Sequence, residues 1–405
     1  MRTRGQKITL AAYTAAILLG IANGLWGTDF LLACADFLSS VFIRLFKFIS
    51  IPVIAVSIIA TLAHISQSSE SGKIFRHTIV YTLLTTILAA ALAALLYLIF
   101  SPENVSSEGA VSLGGITGHT YTEYVLTIIP DNFLSPFISA NVLSVLLVAA
   151  AVGVAIAKLP KKSKEQDLLI TFFDASQQVL FTLVRWIIAI LPLGIFGFFT
   201  GLVLEMEKGM TLGGLGSYFA TIVTANLLQM FVVLPLILLS RGINPLRVFK
   251  GMGQALMIAF FSKSSAGTLP VTISCAENNL KVRPQVSRFV LPICATINMN
   301  GCAAFIFVTV IFLMQNAGIE ITPLTMLIWI FVATIAAVGN ASVPMGCFFL
   351  SASLLASMNV PILLMGVILP VYAVIDMIET TLNVWSDSCV CTMVNKDLFG
   401  KEDKA

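Results

Sequence analysis

Charged residues are scarce in this chain, and their scarcity narrows the class of protein. Of the 405 residues, 11% are Asp, Glu, Lys or Arg, whereas 58% are hydrophobic. Since a typical soluble domain is about 25% charged, an ordinary soluble fold is excluded. Apolar stretches of about 18 residues or more, long enough to cross a bilayer, recur from end to end. The sequence therefore predicts an all-α membrane protein whose helices cross a lipid bilayer many times.

Residues that would build a metal centre or a disulfide framework are also few. The chain has three histidines, which argues against a histidine-based metal site. Six of its seven cysteines lie in or beside the C-terminal apolar segments, and no CxxC pair has the spacing of a metal site. We therefore expect the cysteines to behave as small apolar residues, with no disulfide framework. We also expect no nucleic-acid partner.

Basic residues are nearly absent from alternate loops, and this absence predicts the topology. The first six apolar spans are 8–26, 39–66, 74–100, 121–158, 167–204 and 213–240. Lys and Arg cluster at 2–7, 73–76, 158–164, 241–250, 281–288 and 396–404. By the positive-inside rule, the segments that carry these clusters lie on the cytoplasmic side, and both termini are among them. The N-terminal span has no small-residue cleavage site, so we expect no cleaved signal peptide.

Two further apolar segments break the alternation of sides. Segment 251–280 begins and ends beside lysines, and segment 324–358 lies between two loops without basic residues. Each segment must therefore return to the side from which it entered, which predicts two re-entrant hairpins of opposite orientation. Their expected irregular tips are Ser264–Pro270 and Gly339–Pro344. Non-helical backbone at membrane depth requires protein, ions or water as hydrogen-bonding partners.

Each hairpin is followed by an apolar span that polar residues interrupt, 286–315 and 362–393. A hairpin-plus-helix unit repeated in inverted orientation is typical of secondary transporters, in which broken elements meet at the midplane. The prediction is thus eight transmembrane helices, two opposed re-entrant hairpins and inverted repeats. Channel filters also use re-entrant loops, so a channel is an alternative, although two opposed loops suit alternating gates better.

The last span carries the most unusual polar pattern of the chain. At about 100° per residue, five of its polar residues share one helix face. They are Asp376, Glu379, Thr380, Asn383 and Asp387. Carboxylates at bilayer depth are costly unless they face a cavity, an ion or a partner. A helix end among the lipid headgroups is the plain alternative, but the stripe is too long for that. We therefore predict a binding site for a cationic or zwitterionic ligand.

Three other stretches supply groups that suit such a ligand. In the first tip, serine hydroxyls and free backbone N–H groups would bind a carboxylate, and Lys263 needs an acidic partner, for which Asp376 is the candidate. Asn298–Gly301 interrupts the seventh span with amides that suit a hard cation such as sodium. Backbone carbonyls of the outer tip, 337–346, would close over a site. A turn without a ligand and a glycine kink packed against a neighbour are the alternatives.

Three motifs resemble those of a known family. Ser264–Pro270 reads Ser-Ser-Ala-Gly-Thr-Leu-Pro, and Ala295–Gly301 reads Ala-Thr-Ile-Asn-Met-Asn-Gly. Asp376, Asn383 and Asp387 follow in the last span. Together these motifs resemble the dicarboxylate/amino acid:cation symporters, the glutamate transporter homologues. The resemblance covers most of the chain and is strongest in its C-terminal part.

This resemblance implies a homotrimer in which each chain carries its substrate by an elevator motion. Helices 1, 2, 4 and 5 would form a scaffold, while helices 3, 6, 7 and 8 with both hairpins would form a moving transport domain. The implied scaffold segments are 1–73 and 121–204, and the implied transport-domain segments are 74–100 and 213–397.

The resemblance also implies substrate contacts, residue by residue. Asp376 corresponds to the carboxylate that binds the α-amino group. Asn383 corresponds to the amide that binds the α-carboxylate, with help from Ser265 and the first hairpin tip. Lys263 stands where archaeal members carry an arginine that pairs with the aspartate. The implied substrate-binding set is Ser264, Ser265, Val343, Asp376, Glu379, Thr380 and Asn383.

Sodium ions, as co-transported cofactors, follow from the same resemblance. One implied site combines Asp387, Asn298, Asn383 and the Cys294 carbonyl. A second uses the backbone carbonyls of Thr296, Ala337, Val338 and Asn340. A weaker third site would involve Thr82, Thr85, Thr86 and Asn300. Threonines in membrane helices most often bond back to their own backbone, which is the alternative for these three.

Two departures from the family pattern bear on the substrate and the ions. Glu379 stands where members that take acidic substrates have an arginine for the second carboxylate, so a neutral or polar amino acid is favoured. A cationic amino acid, or proton coupling through a protonated Glu379, is the alternative. Asn300 and Cys302 replace the aspartate and threonine of the family motif Asn-Met-Asp-Gly-Thr, so the third sodium site is altered or absent.

The expected function is therefore sodium-coupled symport of an amino acid across the plasma (inner) membrane, without enzymatic activity. Symport of dicarboxylates, of glutamate and aspartate or of cationic amino acids, with sodium or proton coupling, is the alternative within the family. An ion channel and an intramembrane hydrolase are the alternatives from other classes. A hydrolase would need a nucleophile–base pair, and no histidine lies near the last span.

Overall fold

The computed structural model describes residues 4–64, 72–105, 129–138, 142–160, 163–207, 213–340, 345–358 and 360–400. Within these ranges every regular element is helical and no strand occurs, which confirms the predicted all-α class. A π-helical turn, Gln229–Val233, lies between the helices Gly213–Leu228 and Leu234–Ser240. The helices are α1 (Arg4–Trp26), α2 (Asp29–His64), α3 (Gly72–Phe100), α4 (Ser135–Ile138), α5 (Val142–Ala157), α6 (Lys164–Ala189), α7 (Leu191–Glu207), α8 (Gly213–Leu228), α9 (Leu234–Ser240), α10 (Pro245–Ser262), α11 (Ser265–Asn278), α12 (Pro284–Ile297), α13 (Asn300–Asn316), α14 (Pro323–Gly339), α15 (Gly346–Ser357) and α16 (Leu363–Phe399).

Helix α13 lies at the centre of the fold. Every residue from Asn300 to Met314 is buried. An apolar helix in a membrane protein can face either lipid or protein, and this burial shows that protein surrounds α13. It contacts α3, α8, α14, α15 and α16. The interruption at the start of this helix is therefore placed in the interior of the molecule.

The other described helices pack in two groups. In the first, α1 packs on α7, and α2 packs on α5, α6 and α7. In the second, α3, α8 and the helices from α10 to α16 pack around or beside α13. The groups meet where α15 contacts α2 and α16 contacts α7. Gly366 of α16 allows this second approach, because a Cβ there would lie 2.2 Å from the Phe198 ring of α7.

Three helical segments of the described chain are long and apolar enough to cross a bilayer. They are Lys73–Phe100, Gly214–Ser240 and Pro284–Asn316. A fourth results if the two parts of α16, Leu364–Tyr372 and Val374–Phe399, which meet at 60°, form one span. Several further apolar helices are shorter. Together with the composition, these helices indicate a helical membrane protein.

Several predicted spans have different bounds in the structure. The segment 167–204 divides into α6 and α7 just before Pro192, because proline lacks the N–H that would continue the helix. The segment 213–240 stays helical but contains the π turn at Gln229–Val233. The second helix begins at Asp29, ten residues before the predicted start at 39. In segment 121–158, residues 121–128 and 139–141 lie outside the described residues, and the described remainder contains the short α4 and the longer α5.

The first predicted hairpin is a helix–break–helix unit whose two helices, α10 and α11, pack against each other. At its break, Lys263 ends α10 with a φ of 55°, and Ser264 caps α11 by accepting a hydrogen bond of 3.0 Å from the Gly267 N–H. The helix resumes at Ser265 and passes through Pro270, so the predicted irregular tip of Ser264–Pro270 is too long. The cap replaces the missing helical bonds within two residues, which shortens the break.

The second hairpin joins α14 to α15. Asn340 ends α14, and Met345 begins α15 with a φ of 55°. The four residues between them, including the predicted substrate contact Val343, lie outside the described residues. What the structure describes is therefore the two helices and the residues on either side of the tip.

The predicted interruption of the seventh span is present at Asn298 and Met299, which leave the helical conformation between α12 and α13. Gly301 follows the break at a close approach between helices. A Cβ added there would lie 2.7 Å from Cα of Glu379. Glycine is thus required for α13 to pack directly against α16 at this point.

Candidate functional site

A pocket forms where the two hairpins, the helix break and α16 meet. Lys263, Ser264 and Ser265 come from the first hairpin, and Asn340, Gly346 and Cys347 come from the second. Met299 and Cys302 come from the break and the start of α13. α16 contributes Tyr372, Asp376, Glu379, Thr380 and Asn383. Within the described residues, every member of the predicted substrate-binding set therefore lines one pocket, and we call it the substrate pocket.

Two residues of opposite formal charge line the substrate pocket, Lys263 and Asp376. Both are half-buried. Lys263 is held at the end of α10 by its left-handed backbone conformation. The predicted pairing of these two residues stays a prediction, but the fold brings both to the same pocket.

Glu379 is the most deeply buried acid of the pocket, with 1% of its surface exposed. The Tyr372 hydroxyl donates a hydrogen bond of 3.3 Å to its Oε2. Its Oε1 is buried and has no hydrogen-bond partner in the structure. Leaving a buried carboxylate oxygen unpaired is costly. This atom is therefore free to accept a hydrogen bond or a cation from a ligand.

Asn383 connects the pocket to the helix break. Its Oδ1 accepts a hydrogen bond of 2.9 Å from the Gly301 N–H, one of the donors that the start of α13 leaves free. Its Nδ2 reaches two sulfur atoms, Sδ of Met299 at 3.5 Å and Sγ of Cys302 at 3.8 Å. Sulfur is a weak acceptor. The Asn383 N–H₂ group can therefore exchange these contacts for a stronger one to an oxygen.

A second polar group lies beside the same interruption, and we call it the helix-break cluster. It consists of Thr85, Asn298, Asn300, Ser386 and Asp387, each at most 2% exposed. Asn298 is its hub: Nδ2 donates to Oδ1 of Asp387 at 3.0 Å and to Oγ of Ser386 at 2.9 Å. Asn298 Oδ1 accepts a hydrogen bond of 3.1 Å from the Thr85 hydroxyl.

Asn300 completes the helix-break cluster from the start of α13. Its Nδ2 donates to the Ser386 hydroxyl, and its Oδ1 is buried without a hydrogen-bond partner. The cluster thus gathers carboxylate, amide and hydroxyl oxygens in a buried place. Oxygen ligands of this kind suit a hard cation.

The threonines of α3 bond mainly to their own helix. Thr86 donates to the Thr82 carbonyl at 2.8 Å, and Thr85 also contacts the Tyr81 carbonyl at 3.0 Å. Thr82 faces Sγ of Cys294 at 3.7 Å. Of these three threonines, Thr85 donates a hydrogen bond to the helix-break cluster, through Asn298 Oδ1. Thr86 therefore bonds back to its own helix, as the alternative for these threonines states. Thr85 bonds both to its own helix and to the helix-break cluster.

The backbone carbonyls predicted for sodium lie at helix ends. The Cys294 carbonyl accepts the Asn298 N–H at 2.8 Å, and the Ala337 carbonyl accepts the Asn340 N–H at 3.0 Å. A carbonyl has two lone pairs, so such an oxygen can still accept a cation. Thr296 and Val338 are half-buried beside them.

The comparison with protein families decides what kind of protein carries this site. The family described as the sodium:dicarboxylate symporter family matches residues 10–397, nearly the whole chain. The chain belongs to the sodium:dicarboxylate symporter family. The resemblance read from the three motifs is thereby confirmed.

Individual relatives match over most of their length. The human neutral amino acid transporter B(0) is 29% identical, over 94% of this chain and 78% of its own. Human excitatory amino acid transporter 3 is 28% identical, over 96% and 85%. A putative sodium-dependent excitatory amino acid transporter of Caenorhabditis elegans is 27% identical, over 89% and 82%. These relatives are transporters, as the family name indicates.

One expectation about the symporter is wrong: two cysteines form a disulfide. Cys302 lies in the first turn of α13 and Cys347 in the first turn of α15, and the packing of these two helix starts brings their Cα atoms to 5.5 Å. This distance lies in the range that a disulfide spans. The two residues are 45 positions apart in the sequence, so no short cysteine-spacing motif predicts the pair. The five other cysteines are free.

Sequence reasoning also missed two polar residues of the site. Tyr372 donates to Glu379 and lies seven residues before it, two helical turns along the same face. That spacing was a usable signal. Ser386 contacts both Asn298 and Asn300 but stands beside Asp387 on the neighbouring part of the α16 surface. Its role depends on how α16 packs against the break, which the sequence does not show.

Proposed function

We propose that this family member couples the entry of sodium to the uptake of a neutral or polar amino acid. The observation that carries the proposal is Glu379, a buried acid with an unpaired oxygen beside Asp376 and Asn383 in the substrate pocket. The names of two relatives mention neutral amino acids and sodium, which adds support.

The common part of an amino acid suits one side of the pocket. Asp376 offers a carboxylate for the α-ammonium group. The Asn383 N–H₂ group, now facing sulfur atoms, would turn to the α-carboxylate. The start of α11 at Ser264 and Ser265 adds backbone N–H groups and the positive end of a helix dipole. The pocket therefore offers a binding group for the ammonium and another for the carboxylate of a zwitterionic amino acid.

Glu379 selects among side chains. Two like charges 4 Å apart repel by about 4 kcal/mol when the effective dielectric constant is about 20. On that estimate, almost a thousandfold is the upper limit of the loss of aspartate or glutamate binding that an ionised Glu379 would cause, and a more distant or better solvated second carboxylate would lose about tenfold or more. A substrate hydroxyl would instead donate a hydrogen bond to the unpaired Oε1. Neutral, polar substrates follow from this arrangement, with dicarboxylates and cationic amino acids as the competing classes.

Coupling to sodium would arise from the helix break that both sites share. Asp387 is buried, and its bonded partner is the Asn298 amide, which carries no positive charge. A sodium ion would neutralise this carboxylate and fix Asn298. The next residues along the break, Met299 and Gly301, contact Asn383 in the substrate pocket. An ion that orders the break would therefore favour the pocket geometry that binds substrate, which is a positive coupling.

The proposal includes an architecture. Eight transmembrane helices and two opposed re-entrant hairpins would form a scaffold, 1–73 with 121–204, and a transport domain, 74–100 with 213–397. The two groups of helices that pack separately support this division. We further propose a homotrimer that works as an elevator in the plasma (inner) membrane, with both termini cytoplasmic, and that is not an enzyme.

An uptake panel in proteoliposomes tests the function. Radiolabelled serine, alanine, aspartate, glutamate and lysine are offered under an inward sodium gradient and under a matched potassium gradient. We expect saturable, sodium-driven uptake of serine or alanine. Strong uptake of aspartate or glutamate with none of serine or alanine would overturn the neutral-substrate proposal. Flux that does not saturate and is not coupled to sodium would favour a channel instead.

A further inference from the structure

Two cysteine sulfurs lie close to the carboxylate of Glu379. The proposed symport of an amino acid does not require this arrangement. The sulfur atoms of Cys302 and Cys347 and a carboxylate oxygen of Glu379 all lie within 4.8 Å of one another. The three residues are 4%, 2% and 1% exposed. They come from three separate helices, α13, α15 and α16.

The groups in and around these three residues favour the binding of a cation. Glu379 Oε1 is buried and has no hydrogen-bond partner. The Asn340 amide contacts both sulfurs at 3.3 Å and so holds them to one side of the second hairpin. Lys263 lines the same pocket and contributes a positive charge nearby. A cluster with three anionic ligands would gain from that charge.

The oxidation state decides what the trio can bind. As a disulfide, the two sulfurs are not anionic ligands. A two-electron reductant such as a phosphine breaks the S–S bond: the phosphine and one water become the phosphine oxide, and each sulfur receives a proton. A divalent metal then displaces the two thiol protons to give two metal–thiolate bonds.

We propose that the reduced form of this chain binds a thiophilic divalent cation, such as Zn²⁺ or Cd²⁺, through Cys302, Cys347 and Glu379. Metal–sulfur bonds of about 2.3 Å and metal–oxygen bonds of about 2.0–2.2 Å place tetrahedral ligands roughly 3.3–3.8 Å apart. The three ligand atoms lie within 4.8 Å of one another, so once the S–S bond is broken a small movement of the sulfurs and the carboxylate oxygen would bring them to that spacing. Three protein ligands leave a fourth position open to water or to a group of the substrate.

Binding would tie the second hairpin to the two helices it closes against. Cys347 lies one residue after Gly346 at the start of α15, while Cys302 and Glu379 belong to the packed pair α13 and α16. A bridging metal would hold these three elements together around the substrate pocket. This consequence for transport rests on the proposed function, whereas the metal site itself does not.

The metal site is tested first without any transport assay. Purified full-length protein is treated with a phosphine or left untreated, and Cd²⁺ is titrated while ultraviolet thiolate-to-metal absorption is recorded. We expect one Cd²⁺ per reduced chain and no such band in the untreated protein. Cys302→Ser and Cys347→Ser should each weaken binding at least tenfold, and Glu379→Gln should weaken it by a smaller factor.

Cys275→Ser is the matched control, because Cys275 is buried and free but belongs to the first hairpin. Thermal melting of each variant verifies that it is folded before the titration is interpreted. The proposal is overturned if reduced wild-type protein shows no thiolate band, or if the two serine variants bind Cd²⁺ as wild type does. Unchanged binding by Cys275→Ser is part of the expected result.

A second step separates this inference from the symport proposal. Sodium-driven uptake is measured with and without Cd²⁺ in reduced proteoliposomes. We expect inhibition in wild type and in Cys275→Ser, and none in the Cys302→Ser/Cys347→Ser double variant. Metal binding without inhibition would overturn the bridging role alone. Absence of any sodium-driven uptake would contradict the proposed function but leave the Cd²⁺ titration as an independent result.

Discussion

The substrate pocket and the helix-break cluster both border the interruption at Asn298 and Met299, yet their polar atoms are satisfied to different degrees. In the cluster, Asn298 alone bonds to Thr85, Ser386 and Asp387. In the pocket, Glu379 keeps an unpaired oxygen, and the Asn383 N–H₂ group finds sulfur atoms.

The difference indicates two kinds of binding. Buried polar networks that are satisfied stiffen the backbone around them, whereas unpaired groups favour a ligand that completes them. An ion entering the cluster would rearrange bonds that already exist and add a partner to the unpaired Asn300 Oδ1, while an amino acid entering the pocket would supply bonds that are missing. The predictions below test this contrast, from the largest expected effect to the smallest.

Removing the charge of the helix-break cluster should have the largest effect. In Asp387→Asn the shape is kept but sodium loses its anionic ligand, at a cost of roughly 3 kcal/mol or about 100-fold in affinity. We expect the sodium concentration for half-maximal serine uptake to rise by that factor. Asp36→Asn, on an exposed part of α2, is the control and should behave as wild type. Wild-type sodium dependence in Asp387→Asn would contradict the sodium assignment.

Removing the charge of Glu379 should change selectivity in the pocket. Glu379→Gln keeps the side-chain shape and removes the repulsion of a second carboxylate. Aspartate should then compete with serine at least about tenfold more strongly than in wild type, as measured by inhibition of labelled serine uptake. Glu320→Gln, an exposed loop residue, is the matched control. If aspartate competes equally in both variants, Glu379 does not select the substrate.

Forcing α13 away from α16 tests whether the two sites depend on one contact. Gly301→Ala would place a Cβ 2.7 Å from Cα of Glu379, so the helices must separate. We expect a loss of about 1–3 kcal/mol of stability, seen as a lower melting temperature. Gly253→Ala is the control, since a Cβ there meets nothing within 4 Å. An unchanged melting temperature in Gly301→Ala would argue against this tight packing.

A single hydroxyl of the helix-break cluster should have the smallest effect. Ser386→Ala removes one acceptor from Asn298 and should weaken sodium binding by about 1 kcal/mol, or roughly fivefold. Ser388→Ala provides a matched comparison, because Ser388 is equally buried but donates to the Val384 carbonyl of its own helix at 2.7 Å. The sodium dependence of uptake distinguishes the two variants. Equal effects would mean that the Ser386 hydroxyl has no special place in the cluster.

Local chemistry allowed much of this arrangement to be predicted. Helix breaks need residues that tolerate them, and Asn298–Gly301 and the serines of the first tip stand out within apolar runs. Glu379 stood out because a buried acid is rare. The first tip is shorter than expected because Ser264 caps the next helix at once, a detail of geometry that residue types alone do not determine.

Contacts between distant segments were beyond the sequence. The disulfide joins two helix starts that only the fold brings to 5.5 Å, and Ser386 gains its partners only because α16 packs against the break. The stripe on α16 predicted which residues share a helix face. It contained no information about which neighbours lie opposite that face.

Mutual stabilisation by sodium and substrate tests the central claim most directly. The melting temperature of the purified protein is measured with serine or aspartate, each in sodium and in potassium. Linkage requires that a ligand that binds only the sodium-loaded form stabilises only in sodium. We predict that serine raises the melting temperature in sodium and not in potassium, and that aspartate has a much smaller effect. An equal shift by serine in both salts, or a shift by aspartate alone, would contradict the account.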